Sequence, residues 1–577
     1  MMNKHSNVNP FTVEIVKDNL LSIGEEMFTA LARSSMSPII YEVLDYACGL
    51  TDRKGRLISQ GNGVTSFIGM LSPMVQSIIE KFDGGKELYE GDIILINDPY
   101  LGGGSHLSDV GLVMPIFYEG EIVAYSANKG HWTEVGGKDA GSFTTDSTEI
   151  FQEGLQFSGI KLVEKGTINQ GIVDIIQSNV RFPDLSIGDM WAQIAALKTG
   201  GKRFSDMCDK YGENVVTLSI NQLLNQGKNY ALKELKKIPK GEFLAEGYIE
   251  AGASKDKQYP IKVKVTITET NFMADFRGSH PQVNKPVNCS YYGLLASVRA
   301  MYLAIVKPFT DVNDGFFEPF SVITDRGSII SAERPAPVSM NFEGRIGGAD
   351  LIWQAMAPNL PERLPAGHMG SVCSVVLSGN HHVTNNPFLI VEPSVGGWGA
   401  AQGMDGVSGQ FCMGNGETYN VPIEIAESRY GVLIENYGLH INSAGAGEYL
   451  GGRGVQRSYK VLSSGQKLST IFGRHSFKPW GMNGGHEGSP NYVTVEKSNK
   501  QVDGPYGVTA RYELNKGDVV HLITATGGGY GSPLHRNPEQ VLKDVRNGYI
   551  SLKDAEDVYG VKVETDNWKI TEVYPDR

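Results

Sequence analysis

Cysteine is scarce in this chain: five in 577 residues, at Cys48, Cys208, Cys289, Cys373 and Cys412, scattered and odd in number, with no CxxC pair. That excludes a disulfide framework and a cysteine-rich zinc site, and it fits a reducing compartment. There is no run of 18 or more apolar residues, so no membrane span is expected. The opening MMNKHSNVNPF lacks the basic-then-apolar pattern of a secretory leader. A soluble, cytoplasmic protein is the expectation. Basic residues are outnumbered, 52 Lys+Arg against 64 Asp+Glu, for a net charge of −12. A nucleic-acid binder needs a basic face, so that class is not expected. No G-x-x-x-x-G-K-[ST] string occurs, and 344-GRIGG-348, 396-GGWGA-400, 451-GGRG-454 and 527-GGGYG-531 lack the strand-to-helix setting of a G-x-G-x-x-G loop. They read as tight turns and close backbone packing, not as an ATP or dinucleotide site. Ser443, in 442-NSAGAGEYLGGRG-454, has no nucleophile-elbow context, and no cysteine has a histidine close by.

What is abundant is glycine, 70 residues, against a usual share of about 7%. It is aperiodic, which points to many turns and to loops whose backbone approaches a neighbour closely. At about 100–200 residues per domain the length allows three or four units or fewer large ones. The expected fold class is α+β: a large interlocked body with mixed sheets, flanking helices and Gly-rich loops. Its domains are read as an N-terminal α/β metal-site domain over 1–240 and a strand-rich mixed region over 241–577. Val16, Leu20, Ile23, Met27 and Leu31 recur at helical spacing after Pro10. The stretch 50–61 reads as a hairpin about Lys54-Gly55, and a helix is placed from about Met74 to Phe82. Residues 92–98 and 121–130 read as strands, each opening into a histidine loop, and adjacency of the two would bring those loops together. Residues 166–235 are helical in pattern, 261–270 and 272–278 read as paired strands, 290–307 as a buried helix, and 340–470 as short strands and loops. The stretches 453–475 and 490–525 are strand-rich, and Ser551 caps a late helix.

The chemistry concentrates in 97-NDPYLGGGSHLSDVG-111 and 128-NKGHWTEVGG-137. His106 and Asp109 are three apart on a glycine turn, and His131 follows 25 residues later. Imidazoles and a carboxylate are ligands for Zn, Mn or Fe, and positions left for water make a catalytic site. Asp45, in 42-EVLDYACGL-50, is the candidate fourth ligand. The ion would activate water or polarise a carbonyl. A polar loop or a satisfied core histidine is the competing outcome, and Asp98 before Pro99 reads equally as a turn residue. Glu424 and Glu427, in 418-TYNVPIEIAESRYG-431, are paired carboxylates for which a salt-bridge or capping role is favoured over acid–base work.

Ordered strings over most of the chain carry a resemblance. They are 43-VLDYACGLTDRKGRLISQ-60, 97-NDPYLGGGSHLSDVGLVMPIF-117, 130-GHWTEVGG-137, 150-IFQEGL-155, 396-GGWGA-400, 420-NVPIEIAE-427, 443-SAGAGEYLGGRGVQR-457 and 526-TGGGYGSPLHRNPEQVLKDV-545. With these the chain resembles the hydantoinase B / 5-oxoprolinase family, the B-type subunits of ATP-dependent hydantoinases, to which acetone carboxylase subunits are related. The resemblance implies one divalent metal (Zn, Mn or Fe) on Asp45, His106, Asp109 and His131. It implies that ATP is used by a hydantoinase A-type ATPase partner and not bound here, in a hetero-oligomer containing two or more copies. A small cyclic amide phosphorylated by the partner would be hydrolysed at the metal, with Asp45 or Asp109 steering the water. Glu134 stands where relatives often carry Asp, as a candidate base. Ser66 stands where many relatives carry histidine. Phe67, Trp132, Tyr100 and Arg345 are candidate pocket residues; aromatic packing is the alternative for the first three and a surface ion pair for Arg345. The metal subunit of an ATP-dependent ketone carboxylase and a non-catalytic scaffold are the alternative functions.

Overall fold

The computed structural model describes residues 8–251, 258–308, 311–416, 418–441 and 444–574. Two units emerge. One comprises Met1–Glu242, Lys264–Arg345 and Gly414–Val421; the other comprises Phe243–Val263, Ile346–Met413 and Pro422–Arg577. The sequence reading sets a single boundary at 240. In the structure the first unit takes in 264–345 and 414–421 as well as the residues up to Glu242. Ser443 lies outside the described residues.

The first unit is built on an antiparallel sheet of seven strands. They are β1 (Tyr46–Asp52), β2 (Leu57–Gly63), β3 (Ile93–Ile96), β4 (Asp109–Tyr118), β5 (Glu121–His131), β6 (Ser158–Glu164) and β7 (Thr167–Ile168), in the order β2-β1-β5-β4-β3-β6-β7. β1 and β2 are the expected hairpin. The strands expected at 92–98 and 121–130 are β3 and β5, but they are not neighbours: β4 lies between them.

Helices cover both faces. α1 (Pro10–Ser34) buries Val16, Leu20, Ile23, Met27 and Leu31, the residues its periodicity singles out. A four-residue turn, α2 (Pro38–Tyr41), follows. On the opposite face lies α3 (Thr65–Lys81), whose Leu71, Met74, Val75 and Ile78 pack on Ile94, Ile96, Val113, Tyr125 and Ala127. This helix begins nine residues before the expected Met74. Pro73 lies inside it and lacks the N–H that Gly69 O would receive. Arg299 Nη1 reaches that carbonyl instead, at 3.4 Å. The expected helical stretch at 166–235 is three helices: α4 (Gln170–Asn179), α5 (Pro183–Tyr211) and α6 (Glu213–Leu235). α7 (Tyr291–Val306) is the expected buried helix, capped by Ser290, whose Oγ accepts from Gly293 N at 3.2 Å.

One glycine string breaks the turn reading. 344-GRIGG-348 lies inside α8 (Asn341–Met356). There the missing side chain of Gly347 admits Ile261, whose Cδ1 lies 3.3 Å from where a Cβ would stand. The other strings, in the second unit, pack backbone on backbone as expected. A Cβ on Gly397, Gly451, Gly527 or Gly528 would fall 2.0–2.1 Å from a carbonyl oxygen of a neighbouring stretch of chain. The two larger antiparallel sheets of that unit have five and four strands. One is built from Val432–Leu439, Val455–Val461, Val519–Ile523, Tyr492–Glu496 and Val502–Tyr506; the other from Pro387–Glu392, Ser374–Asn380, Gln466–Ile471 and Val508–Leu514. Ser551 Oγ accepts from Asp554 N at 3.0 Å, the expected cap. No helix among the described residues is long and apolar enough to cross a membrane.

Candidate metal centre

The register of one hairpin sets the site. Glu119 and Gly120, both at positive φ (51° and 87°), join β4 to β5 as a two-residue turn favours. The pair Phe117↔Ile122 is followed by Ile116↔Ala124, so β5 carries one extra residue, a bulge. From there the pairs run unbroken to Asp109↔His131. Without that extra residue His131 would slip by one position and turn to the other face. β1 flanks β5 on its other side, with Tyr46 opposite Gly130, and His131 N donates to Asp45 O at 3.0 Å. Asp45, His131 and Asp109 therefore stand side by side at the end of three adjacent strands.

Alternation aims them at the α3 face. Lys129, two residues before His131, places Nζ 3.8 Å from Met70 Sδ of α3. A Cβ on Gly111, two residues after Asp109, would fall 2.2 Å from Met74 Sδ.

His106 joins from the glycine loop. Asp109 N donates to His106 O at 3.2 Å, closing the turn that brings the His106 and His131 rings to a 5.0 Å centroid separation. His106 Nε2 lies 3.2 Å and His131 Nδ1 3.4 Å from Asp109 Oδ1, and His131 Nδ1 lies 3.7 Å from Asp45 Oδ2. The ligand atoms of His106, Asp109 and His131 all lie within 4.8 Å of one another. Glycine makes this possible at one position above all. A Cβ on Gly104 would stand 2.5, 2.7 and 2.8 Å from the carbonyl oxygens of His106, Asn97 and Asp109. Three backbone groups cannot yield as a side chain would. Gly104→Ala should therefore open the loop and weaken metal binding at least about tenfold, the scale of a 1–3 kcal/mol overpacking strain. Circular dichroism should stay near wild type, and elemental analysis after dialysis reads the loss.

The donor set fits a cation. Asp109 Oδ2 is fixed by Ser105 N at 3.1 Å and by Ser105 Oγ. Its Oδ1 is buried between two imidazole nitrogens with no hydrogen-bond partner among the described residues. Buried carboxylate oxygens are rarely left so. Two imidazoles, one carboxylate and Asp45 beside them suit Zn, Mn or Fe. Burial pushes the Asp109 carboxyl up, but His106 and His131 outweigh it and hold it well below the usual range. Burial raises Asp45, against the opposing pull of His131.

The other candidate residues fall elsewhere. Glu134 is fully buried and its carboxylate is occupied: Arg181 N and Nη1 (3.0 Å) and Gly141 N (3.3 Å) all donate to it. It is outside the ligand group and pins the segment that follows His131. Trp132 Nε1 donates to Gln193 Oε1 at 2.7 Å, and Phe67 packs with Ala47 and Val64, so both are core. Tyr100 gives its hydroxyl to Ala336 O and lines a cavity of about 740 Å³ with Ser290, Tyr291 and Tyr292. Ser66 Oγ donates to Gly414 O at 3.1 Å. Arg345 is buried, not part of a surface ion pair. Asp98 is more than a turn residue: it accepts from Tyr100 N (3.0 Å), Ser158 Oγ (2.6 Å) and Arg334 Nη2 (2.7 Å). In the second unit Glu427 accepts from Ile434 N at 2.8 Å, neither the ion pair nor the cap expected of it, and Glu424 is exposed.

Lys129 is what sequence reasoning missed. It is wholly buried, flanked by Ala47 and Gly111 on the neighbouring strands, and burial pushes its amine down to about 7. The signal was a lone lysine at the end of the apolar strand 121-EIVAYSANKG-130.

A family model described as Hydantoinase B/oxoprolinase matches residues 9–533. The chain is 32% identical over 582 residues to the B component of a putative D-/L-hydantoinase from a Pseudomonas species, covering 98% of this chain and 96% of the relative. It matches the crystal structure of the ATP-dependent caprolactamase of Pseudomonas jessenii at a TM-score of 0.90 and 27% identity, covering 97% and 98% of the two chains. The fold also recurs in a nucleotide-free acetone carboxylase, with a TM-score of 0.90 at 18% identity over 98% of this chain and 81% of that one.

Proposed function

The chain belongs to the hydantoinase B/oxoprolinase family, and from that premise we propose that it is the hydrolytic, metal-binding subunit of an ATP-dependent cyclic amidase. The observation that carries the reading is the row of Asp45, His131 and Asp109 on adjacent strand ends, completed by His106 from the glycine loop. When bound, a divalent ion supplies Lewis acidity, polarising a carbonyl and making a water acidic. His106, His131 and Asp109 would hold it, with Ser105 orienting Asp109. Asp45 is the least buried of the four, its side chain 22% exposed against 8% or less for the others. Its Oδ2 would accept the proton of an attacking water. A cyclic amide resists attack through its resonance. Phosphorylation of the carbonyl oxygen by a hydantoinase A-type ATPase partner would remove that resonance; addition of water and cleavage of the ring C–N bond would then give an acyl phosphate, from which a second water releases phosphate. The partner role is supported by the hydantoinase relative, which is named as one component of its enzyme, and the amide class by the hydantoinase and caprolactamase names.

The test is reconstitution. The chain is combined with an ATPase partner, ATP and a panel of hydantoins, oxoproline and lactams. Ring-opened product and ADP should form in step, without added bicarbonate, and only when both proteins are present. Product that forms solely with bicarbonate, and carries its carbon, would sink the amidase reading.

A further inference from the structure

Arg345 is a buried cation with two donor nitrogens unused. It is 6% exposed, and its Nε and Nη1 have no hydrogen-bond partner among the described residues. One helical turn earlier on α8, Asn341 is wholly buried, with both Oδ1 and Nδ2 unpartnered. Residues four apart share a helix face, so the two side chains stand one above the other. Four buried polar atoms left unmet on one face of one helix need an explanation, because folded proteins rarely leave even one.

Their surroundings place them beside the metal centre. Arg345 acts electrostatically on Asp45 and on Cys289. A Cβ on Gly414 would fall 3.2 Å from Arg345 Nη1. The carbonyl of that glycine accepts from Ser66 N (3.3 Å) and Ser66 Oγ (3.1 Å), in the first turn of α3, the helix that covers the metal-bearing face. On the other side, a Cβ on Gly293 would lie 3.9 Å from Asn341 Oδ1 and 3.6 Å from Ser290 Oγ, at the start of α7. Ser290, Tyr291 and Tyr292 line the open cavity that Tyr100 of the glycine loop also borders. The approach to α8 is held in advance: the buried Glu153 carboxylate accepts from Val338 N and Ser339 N at 3.0 Å each.

A guanidinium offers two parallel N–H groups to an oxyanion, the geometry phosphate takes best, and the Asn341 amide adds a third donor. We propose that Arg345 and Asn341 form an anion subsite beside the metal centre that takes the phosphoryl group of the activated cyclic amide, an assignment that rests on the amidase reading above. The phosphoryl oxygens would sit on the guanidinium while the carbon they activate faces Asp45 and the ligands. Water adds to that carbon and the ring C–N bond breaks, its electron pair and a proton going to nitrogen; a second water then cleaves the resulting acyl phosphate, the C–O electron pair going to a phosphate already neutralised in place.

The experiment uses inorganic phosphate as probe and isothermal titration calorimetry on the full chain freed of metal by a chelator. Wild type should bind phosphate saturably, and His106→Ala should bind it equally well, since the metal ligands are not involved. Arg345→Met and Asn341→Leu should each weaken binding, the first at least about tenfold, as loss of a charge-assisted bond implies. The Tm of Arg345→Met should hold or rise, because a buried charge with two unmet donors has been removed; an arginine of merely structural role would lower it. Undiminished phosphate binding by Arg345→Met, no binding by metal-free wild type, or preference for acetate over phosphate would each overturn the assignment. The two readings fail separately. Phosphate binding that depends on Arg345, without ring opening in the reconstituted enzyme, rejects the amidase alone. Ring opening alongside undiminished phosphate binding by Arg345→Met rejects the subsite alone.

Discussion

Chain loaded with Zn, Mn or Fe and dialysed should retain about one ion per molecule, and His106→Ala, His131→Ala and Asp109→Asn should each lose it. Asp109 carries the largest effect. Its Oδ1 faces both imidazoles within 3.4 Å, so its removal takes away the one group that both rings share. Asparagine keeps the shape and the Ser105 contacts while discarding the charge. Ring-opening activity in the reconstituted complex should fall by more than about 100-fold in all three variants, beyond the 10–100-fold typical when only a supporting partner of a metal ligand is lost. Asp45→Asn should behave differently. It lies at the rim, so metal content should fall less than the rate. Elemental analysis beside the kinetics separates the two patterns. Wild type that retains no ion after loading with any of the three metals would refute the metal centre outright.

The second large effect is a pH dependence of stability carried by Glu153. This residue of 150-IFQEGL-155 is buried and accepts from Ser147 Oγ at 2.7 Å and from Val338 N and Ser339 N. Burial nonetheless pushes its carboxyl up to about 7 from 4.5, and those hydrogen bonds only reduce the rise. A raised folded-state pKa means that the folded protein holds this proton more tightly than the unfolded chain. The stabilisation is full below pH 4.5 and is lost as the pH rises towards 7. At 1.36 kcal/mol per unit the loss is about 3 kcal/mol across that window. Glu153→Gln cannot ionise. The wild-type-minus-variant difference in unfolding free energy should therefore shrink by about that amount between pH 4.5 and 7, read from urea melts at half-unit steps. A difference that stays flat over the window would show that the carboxyl titrates normally in the folded state. Because Glu153 fixes the two residues that lead into α8, the variant should also loosen the segment carrying Asn341 and Arg345.

Local pattern was enough where one residue type dictates one geometry. The apolar spacing of α1, the Lys54-Gly55 hairpin, the long helices of 166–235 and the Ser551 cap are all present where the sequence places them. Local pattern misled where a residue has two uses. Pro73 hid the first half of α3, and the glycines of 344-GRIGG-348 hid α8, because both residue types usually end helices. β4 went unread because Gly111 and Pro115 interrupt its apolar run, and proline is rare in a central strand. The fold keeps such residues in place because neighbours supply the compensation: Arg299 on the Gly69 carbonyl, Met74 in the gap at Gly111.

For the site the division is similar. The sequence by itself determined which side chains are capable of the chemistry, and that His106 and Asp109 share one glycine turn, because three residues of chain leave them little freedom to separate. Only the tertiary structure decided that His131 meets them, since that depends on a single bulge in β5 fixing a register eight pairs long. Burial was likewise invisible in the sequence. Lys129 reads as an ordinary charge along the chain and Arg345 as either a pocket residue or half of a surface ion pair, and it is the packing of β1, β5 and β4 around the one and of α8 around the other that removes water from them.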